Sequence, residues 1–231
     1  MTEDLTRPAP LPPGWLRPLQ PLGRAVLVLL AVTVAVDIVA VIDDHGRRDL
    51  FGRVALGASL TVSEAESSDR QTAVIGSLQL ALLVLTGVLT LVWLHRAYVN
   101  AGRLGSELPH RPGWAVWSWF VPVLNLVRPR RIIDQTWRAS DPALPAWNAV
   151  AWSVAPTTPL ILLWWLLFLF NSLLAQVASA QVDSVSAASV RDGYAVMLAS
   201  DALDAVVAVL FAVIVWRLTA RQTARIAARA G

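Results

Sequence analysis

The chain has 231 residues, of which 56% are hydrophobic and only 15% charged, with a formal net charge of +3; ordinary soluble domains carry roughly 25% charged residues, so a soluble globular domain is excluded and lipid is the solvent for most of this chain. There is no cysteine, and all 19 basic residues are arginine, which removes disulfides, thiolate metal sites, thiol catalysis, Schiff-base lysines and the lysine of a phosphate-binding loop. The basic balance does not imply nucleic acid, because the arginines gather at the ends of apolar stretches, where anionic lipid head groups lie.

The first 23 residues contain Pro8, Pro10, Pro12, Pro13, Pro18 and Pro21 and read as a disordered or polyproline tail. Four apolar runs follow that are long enough to cross a hydrocarbon core of about 30 Å: Ala25 to Ile42, Val74 to Leu94, Pro159 to Ala178 and Met197 to Trp216. The first lacks a small-residue cleavage site and runs into Asp43 and Asp44, so it reads as an uncleaved anchor rather than a signal peptide. The second carries Gln79, Thr86, Thr90, Ala97 and Asn100 on one helical stripe. Such a seam either orients helix packing or lines a solute path, and hydrogen bonds between membrane helices average only about 0.6 kcal/mol.

Between the second and third runs lies a basic, Trp-rich stretch from Arg96 to Arg138. Within it, Gly113 to Val127 is apolar but short for a crossing, and carries Pro122 and Asn125. The positive-inside rule decides its path. With four spans and a cytoplasmic N-terminus, fourteen arginines lie inside and five outside; if the short segment also crossed, seven would lie inside and twelve outside. Four spans with both termini cytoplasmic is therefore the predicted topology.

Gly113 to Val127 is then expected to form a kinked re-entrant or interfacial helix, since Pro122 frees the carbonyl of Ser118, with Trp114, Trp117 and Trp119 at head-group level. Next, Pro129 can open a helix that places Ile132, Ile133, Thr136 and Trp137 on one face and Arg130, Arg131, Asp134, Gln135 and Arg138 around the other. This is the pattern of a helix lying in the membrane interface; a solvated connector with no ligand is the plainer alternative. Residues 146–154 read as a short helix or angled lead-in, after which Thr158 can cap and Pro159 can start the third span. Past the fourth span, Arg217, Arg221, Arg225 and Arg229 recur every four residues and extend the helix as a basic stripe beside the lipid.

The central residues resemble an actinobacterial membrane family, domain of unknown function 4328. The resemblance rests on Arg96-Ala97-Tyr98-Val99-Asn100-Ala101 with Leu104-Gly105, on Pro112-Gly113-Trp114-Ala115, on Trp119-Phe120-Val121-Pro122-Val123-Leu124-Asn125-Leu126 with Pro129, and on Trp137-Arg138-Ala139-Ser140. It implies a multispan envelope protein with a Pro-rich cytoplasmic leader, and supplies no catalytic residues.

Intramembrane ionisable residues cost about 2.5–3.5 kcal/mol at a helix centre and are functional candidates by default. Asp37, Asp201 and Asp204 qualify. On the fourth span Asp201 and Asp204 share a face with Ala205, Ala208 and Ala212, and small residues suit a close helix contact or a homo-oligomer seam. The three acids form either an outward-facing vestibule for a cation or proton, or carboxylates near the boundary neutralised by water and by Arg47, Arg48 or Arg191. A second candidate, for an anionic head group or phosphate, combines Arg96, Asn100, Asn125, Arg130 and Asp134; in the plainer reading Asn100 and Asn125 satisfy backbone groups around Pro122. His45, His95 and His110 lack partners, and no metalloprotease, nucleophile-elbow or phosphate-loop motif is present.

The expectation is thus an all-α, integral membrane four-helix bundle in the bacterial plasma membrane, with a re-entrant or interfacial helical insertion between spans two and three. It needs no metal or other cofactor and is not an enzyme. It acts as scaffold, regulator or lipid-contacting module through residues 96–140, with the lipid bilayer, another membrane protein or a second copy as partner. The alternative is a small transporter or cation or proton channel using Asp37, Gln79, Thr86, Thr90, Asp201 and Asp204.

Overall fold

The computed structural model describes residues 14–145, 148–182 and 186–230. Its elements are helices α1 (Gln20–Ala55), α2 (Val62–Arg103), α3 (Trp114–Trp117), α4 (Arg128–Arg138), α5 (Pro159–Val182) and α6 (Ala187–Ala230), with 3₁₀ turns at Leu124–Leu126 and Ala151–Val154. No strand occurs among the described residues. Helices α1, α2, α5 and α6 are long and apolar enough to cross a membrane, which makes the chain an all-α, multi-pass membrane protein. Their large apolar side chains point outward, Val28, Ile42, Leu83 and Leu173 among them, as expected where the surroundings are hydrocarbon.

Each long helix contains its predicted span, and three run well past it. At the start of α2, Thr61 and Glu64 form a reciprocal capping box: the Glu64 N–H donates to Thr61 Oγ1 (3.3 Å) and the Thr61 N–H to Glu64 Oε2 (3.0 Å). At its end, Gly105 takes φ +91° and Ser106 N–H donates to the Ala101 carbonyl (3.2 Å), a Schellman termination. Gly57, at φ +96°, ends α1 the same way. Thr158 caps α5 as expected, accepting the Leu160 N–H at 3.3 Å.

The chain divides into two compact units: residues 1–27, 87–163 and 212–231 in the first, and 28–86 and 164–211 in the second. The core of the first unit contains Val26, Trp93, Leu94, Tyr98, Ile132, Ile133, Ile161, Ile214 and Leu218. Here a Cβ at Gly23 would sit 2.8 Å from Thr219 Oγ1, the same hydroxyl that accepts Trp93 Nε1 (3.1 Å). The second unit packs Trp164 against Phe211 with centroids 4.6 Å apart, and Phe51 against Tyr194 at 5.6 Å.

Several sequence expectations change in the first unit. Residues 113–127 do not form one kinked helix: α3 ends after four residues, and Val123, at φ 65° and ψ −45°, turns the chain so that the Leu124 N–H meets the Pro122 carbonyl at 2.7 Å. This is a γ-turn centred on a β-branched residue. Helix α4 forms with Pro129 in its first turn, but Ile132, Ile133, Thr136 and Trp137 are buried in protein, so its apolar face is spent on the chain's own core and not on a membrane interface. In residues 146–154 only the turn at Ala151–Val154 is helical; residues 146–147 lie outside the described residues. Of the predicted tail, residues 1–13 lie outside the described residues, while Leu19 is buried and α1 begins at Gln20.

Candidate functional site

The second unit holds the intramembrane acids. Asp37 on α1 is only 2% exposed, and Gln79 on α2 stands between it and α6, with Nε2 3.4 Å from Asp37 Oδ1 and 3.3 Å from Asp201 Oδ1. Asp204 accepts Asn171 Nδ2 at 3.1 Å, and Asn171 Oδ1 in turn accepts Ser200 Oγ at 3.0 Å. Among the described residues, the side-chain donors to these carboxyls are thus the amides of Gln79 and Asn171, not arginines. The Oδ2 atoms of Asp37 and Asp44 are buried with no hydrogen-bond partner among the described residues.

The arginines expected to neutralise the acids are placed otherwise. Arg47 is buried and donates to Asp43 (2.6 Å) and to the Ser68 carbonyl (2.6 Å), with its guanidinium 5.8 Å from the Tyr194 ring centre. Arg191 pairs with Asp192, and Arg48 is exposed. Beside Arg47 a surface cleft of about 460 Å³ is lined by Ile42, Asp43, Glu64 and Ser68, among others. Asp37, Asp201 and Asp204 do not line it. Among the described residues no three His, Asp or Glu side chains converge as a metal would require. Ala208 is buried within the chain, so the small-residue face of α6 is at least partly used internally.

The polar stripe of α2 is shared out between the units. Gln79 and Thr86 belong to the second, where Thr86 Oγ1 is buried without a partner among the described residues. Thr90 and Asn100 belong to the first, both buried.

In the first unit, the residues expected to form a head-group site have the following surroundings within the chain. Arg96 and Asn100 hold the segment before α1: Arg96 donates to the Pro18 carbonyl (3.3 Å), and Asn100 donates to the Arg17 carbonyl (2.8 Å) while accepting its N–H (3.3 Å). Asp134 pairs with Arg138 (3.0 Å) and accepts the Thr157 hydroxyl. Asn125 sits half-buried in the turn Leu124–Leu126, and Arg130 is half-buried on α4.

The C-terminal arginines also turn inward. Arg225 is buried and donates to Ser106 Oγ (3.1 Å) and to the carbonyls of Leu104 (3.1 Å) and Ala139; Arg229 reaches the same Leu104 carbonyl. Arg221 pairs with Asp141 at 2.8 Å and lies 4.9 Å over Trp137. Three of the four arginines read as a lipid-facing stripe therefore tie the ends of α2 and α4 to α6, while Arg217 is exposed. Spacing put these arginines on one face, and only folding showed that this face meets free helix-end carbonyls.

The first unit leaves an apolar series exposed: Trp117, Phe120 and Val123 are 65%, 63% and 76% exposed, and Leu126 and Val127 are exposed as well. Trp117 and Phe120 meet edge to face at 6.3 Å. Arg128 stacks on Trp114 at 4.3 Å, and Arg131 is exposed on the next turn. His110 is held nearby in sequence by Tyr98, whose hydroxyl accepts its N–H (3.2 Å) and donates to its carbonyl (3.0 Å). Burial, then the charges of Arg128 and Arg131, push the His110 imidazole below its usual pKa.

A family profile described as domain of unknown function (DUF4328) matches residues 57–220, from the loop before α2 to the second half of α6. The chain belongs to the DUF4328 family. No curated protein and no solved structure matches it. The DUF4328 region contains Gln79, Asn171, Asp201 and Asp204 together with the exposed Trp117, Phe120, Val123, Leu126 and Val127, while Asp37, the residues before α1 and Arg225 lie outside it.

Proposed function

We propose that this DUF4328 protein is a non-catalytic protein of the bacterial plasma membrane that works through residues 96–140 as a lipid-contacting scaffold on the cytoplasmic side, with both termini cytoplasmic. The observation that carries the reading is the exposed series Trp117, Phe120, Val123, Leu126 and Val127 beside the cations Arg128 and Arg131. A contiguous exposed apolar patch marks an interaction surface, and aromatic residues flanked by arginine suit the level of anionic head groups. The partner is therefore the bilayer, with another membrane protein or a second copy recruited alongside; nucleic acid is not a partner. The arginine asymmetry of the sequence supports the orientation.

Nitroxide labels at Val123→Cys and Arg131→Cys, in nanodiscs containing anionic lipid, test this. Val123 should be relaxed more by oxygen than by a water-soluble nickel chelate, and Arg131 the reverse. Equal chelate access at both would leave the segment in water and sink the reading. Orientation is tested by labelling single cysteines at Ser59 and Glu107, both exposed, which should react from opposite sides.

A second reading is favoured by one observation, the buried and unpartnered Asp37 Oδ2: a proton or monovalent-cation path through Asp37, Gln79, Asp201 and Asp204. Proteoliposome flux that vanishes in a folded variant with all three Asp changed to Asn would establish it over the scaffold.

A further inference from the structure

Helix α4 opens with Arg128, Pro129, Arg130 and Arg131; no acidic residue stands in its first turn and no side chain caps it. Cations at the positive end of a helix dipole are unfavourable unless an anion joins them. Arg128 and Arg131, three positions apart, share a face. Among the described residues no carboxylate pairs with either, whereas Arg138 and Arg221 of the same unit pair with Asp134 and Asp141. The two charges also reach His110: burial first, then Arg128 and Arg131, act against its charged form. From α2, His110 meets the Tyr98 hydroxyl, which bonds both its N–H (3.2 Å) and its carbonyl (3.0 Å) and is uncharged near neutral pH. Its neighbour Arg111 is exposed.

Apolar surface adjoins these cations. The Arg128 guanidinium lies 4.3 Å from the Trp114 ring centre, and stacking on a ring face leaves its in-plane N–H donors available to a phosphate. Trp117 follows Trp114 by one turn of α3 and meets Phe120 edge to face at 6.3 Å, both rings being exposed. Val127, immediately before Arg128, is exposed too. Cations beside exposed aromatic and aliphatic side chains are complementary to an amphiphile with an anionic head; a soluble anion would match the charges and leave the rings in water.

We propose that Arg128, Arg131 and His110 hold the phosphate of an anionic phospholipid whose acyl chains lie against Trp117 and Phe120, and that protonation of His110 tightens the hold. This rests on the lipid-contacting reading and adds to it the head group and its control. Neutral His110 leaves two cations for the phosphate, and protonated His110 supplies a third. A bound phosphate offsets the field of the two arginines, so lipid binding and protonation favour each other by the same factor. Affinity therefore rises as pH falls through the titration of His110, and the lipid in turn moves that titration to higher pH.

The test titrates His110 by NMR in the full chain, labelled with ¹⁵N-histidine, its resonance assigned by loss in His110→Gln. Nanodiscs contain phosphatidylcholine alone or with phosphatidylglycerol, whose phosphodiester keeps one negative charge through the titration, so that any pH dependence belongs to the protein. Phosphatidylglycerol should raise the midpoint by at least about 1 pH unit more in the native chain than in the double variant Arg128→Gln, Arg131→Gln. That variant feels the same membrane surface charge and lacks the local site. Equal rises in the two overturn the proposal. Inorganic phosphate added to phosphatidylcholine nanodiscs should leave the midpoint unmoved; a rise as large as that with phosphatidylglycerol makes the ligand a soluble anion and overturns the lipid assignment. A nitroxide at Val123→Cys in the same nanodiscs separates the two readings. Equal rises with that label immersed sink the phosphate site alone, and a label in water sinks the lipid-contacting reading with it. Should the double variant not fold, Arg131→Gln, at an exposed position, supplies the comparison.

Discussion

Asn171 and Asp204 are joined by a 3.1 Å hydrogen bond between α5 and α6, and the amide oxygen of the same asparagine accepts the Ser200 hydroxyl. Replacing Asn171 by Leu removes both partners at once and leaves a half-buried carboxyl and a buried hydroxyl to find others. The expected loss is about 1–2 kcal/mol, above the membrane average for one such bond. Unfolding in bicelles measures it; a loss no larger than that of Leu173→Ala, on an exposed face, would show the contact to be idle.

Gly193 is a position where a methyl group has nowhere to go. Its Cβ would stand 2.8 Å from the Val182 backbone nitrogen and 3.0 Å from Gln181 Cβ, and a backbone atom cannot rotate aside. Gly193→Ala should lose at least ~2 kcal/mol from overpacking, outweighing the ~1 kcal/mol gained in helix propensity. Gly76→Ala, with open space around it, should show only the gain.

Arg225→Ala strips donors from the Leu104 and Ala139 carbonyls and from Ser106. A loss of at least ~2 kcal/mol is expected, whereas Arg217→Ala, at an exposed position, should stay within ~0.5 kcal/mol. Arg225→Lys should fall between, because an ammonium cannot reproduce the planar fork. Comparable melting temperatures for the Arg225 and Arg217 variants would refute the internal role.

Val123 holds a positive φ that valine rarely adopts, with its side chain 76% exposed. Val123→Gly should therefore stabilise the fold by ~1 kcal/mol through relief of backbone strain. If the segment meets lipid, the same change should reduce the oxygen relaxation of a label at Phe120. Destabilisation by Val123→Gly would mean that the valine packs against something and the strain argument is wrong.

His110 titrates below its usual value because burial and the neighbouring Arg128 and Arg131 disfavour its charged form. The unfolded chain then binds a proton that the folded chain resists, so the contribution of this residue is complete above pH ~6.5 and is lost as pH falls through the lower folded value. The melting temperature should drop more between pH 7.5 and 5.5 in the native chain than in His110→Gln. An identical drop in both would remove His110 from the pH response.

Much of the architecture was legible in local features. The apolar runs announced four long helices, Thr158-Pro159 marked the start of α5, and Pro129 with the Ile132, Ile133, Thr136, Trp137 spacing announced α4. The extension of α2 back to Val62 was missed, although Thr61-Val62-Ser63-Glu64 is a capping-box pattern that reveals it. The arginines at 221, 225 and 229 were placed on the correct face but assigned to lipid, since periodicity tells which residues share a side and not what that side meets.

By themselves, the residues determined that the chain is helical, multispan and membrane-bound, because mean hydropathy over some twenty residues and helix-end chemistry are properties of contiguous segments. Tertiary structure alone decided where each polar side chain finds its partner. Gln79 stands between Asp37 and Asp201, Asn100 holds the leader, and Arg225 serves the carbonyls left at two helix ends. Those pairings join residues roughly 40 to 120 positions apart, and buried donors and acceptors must be matched at distances near 3 Å. That requirement is met only by the packing of whole helices, which no local pattern encodes.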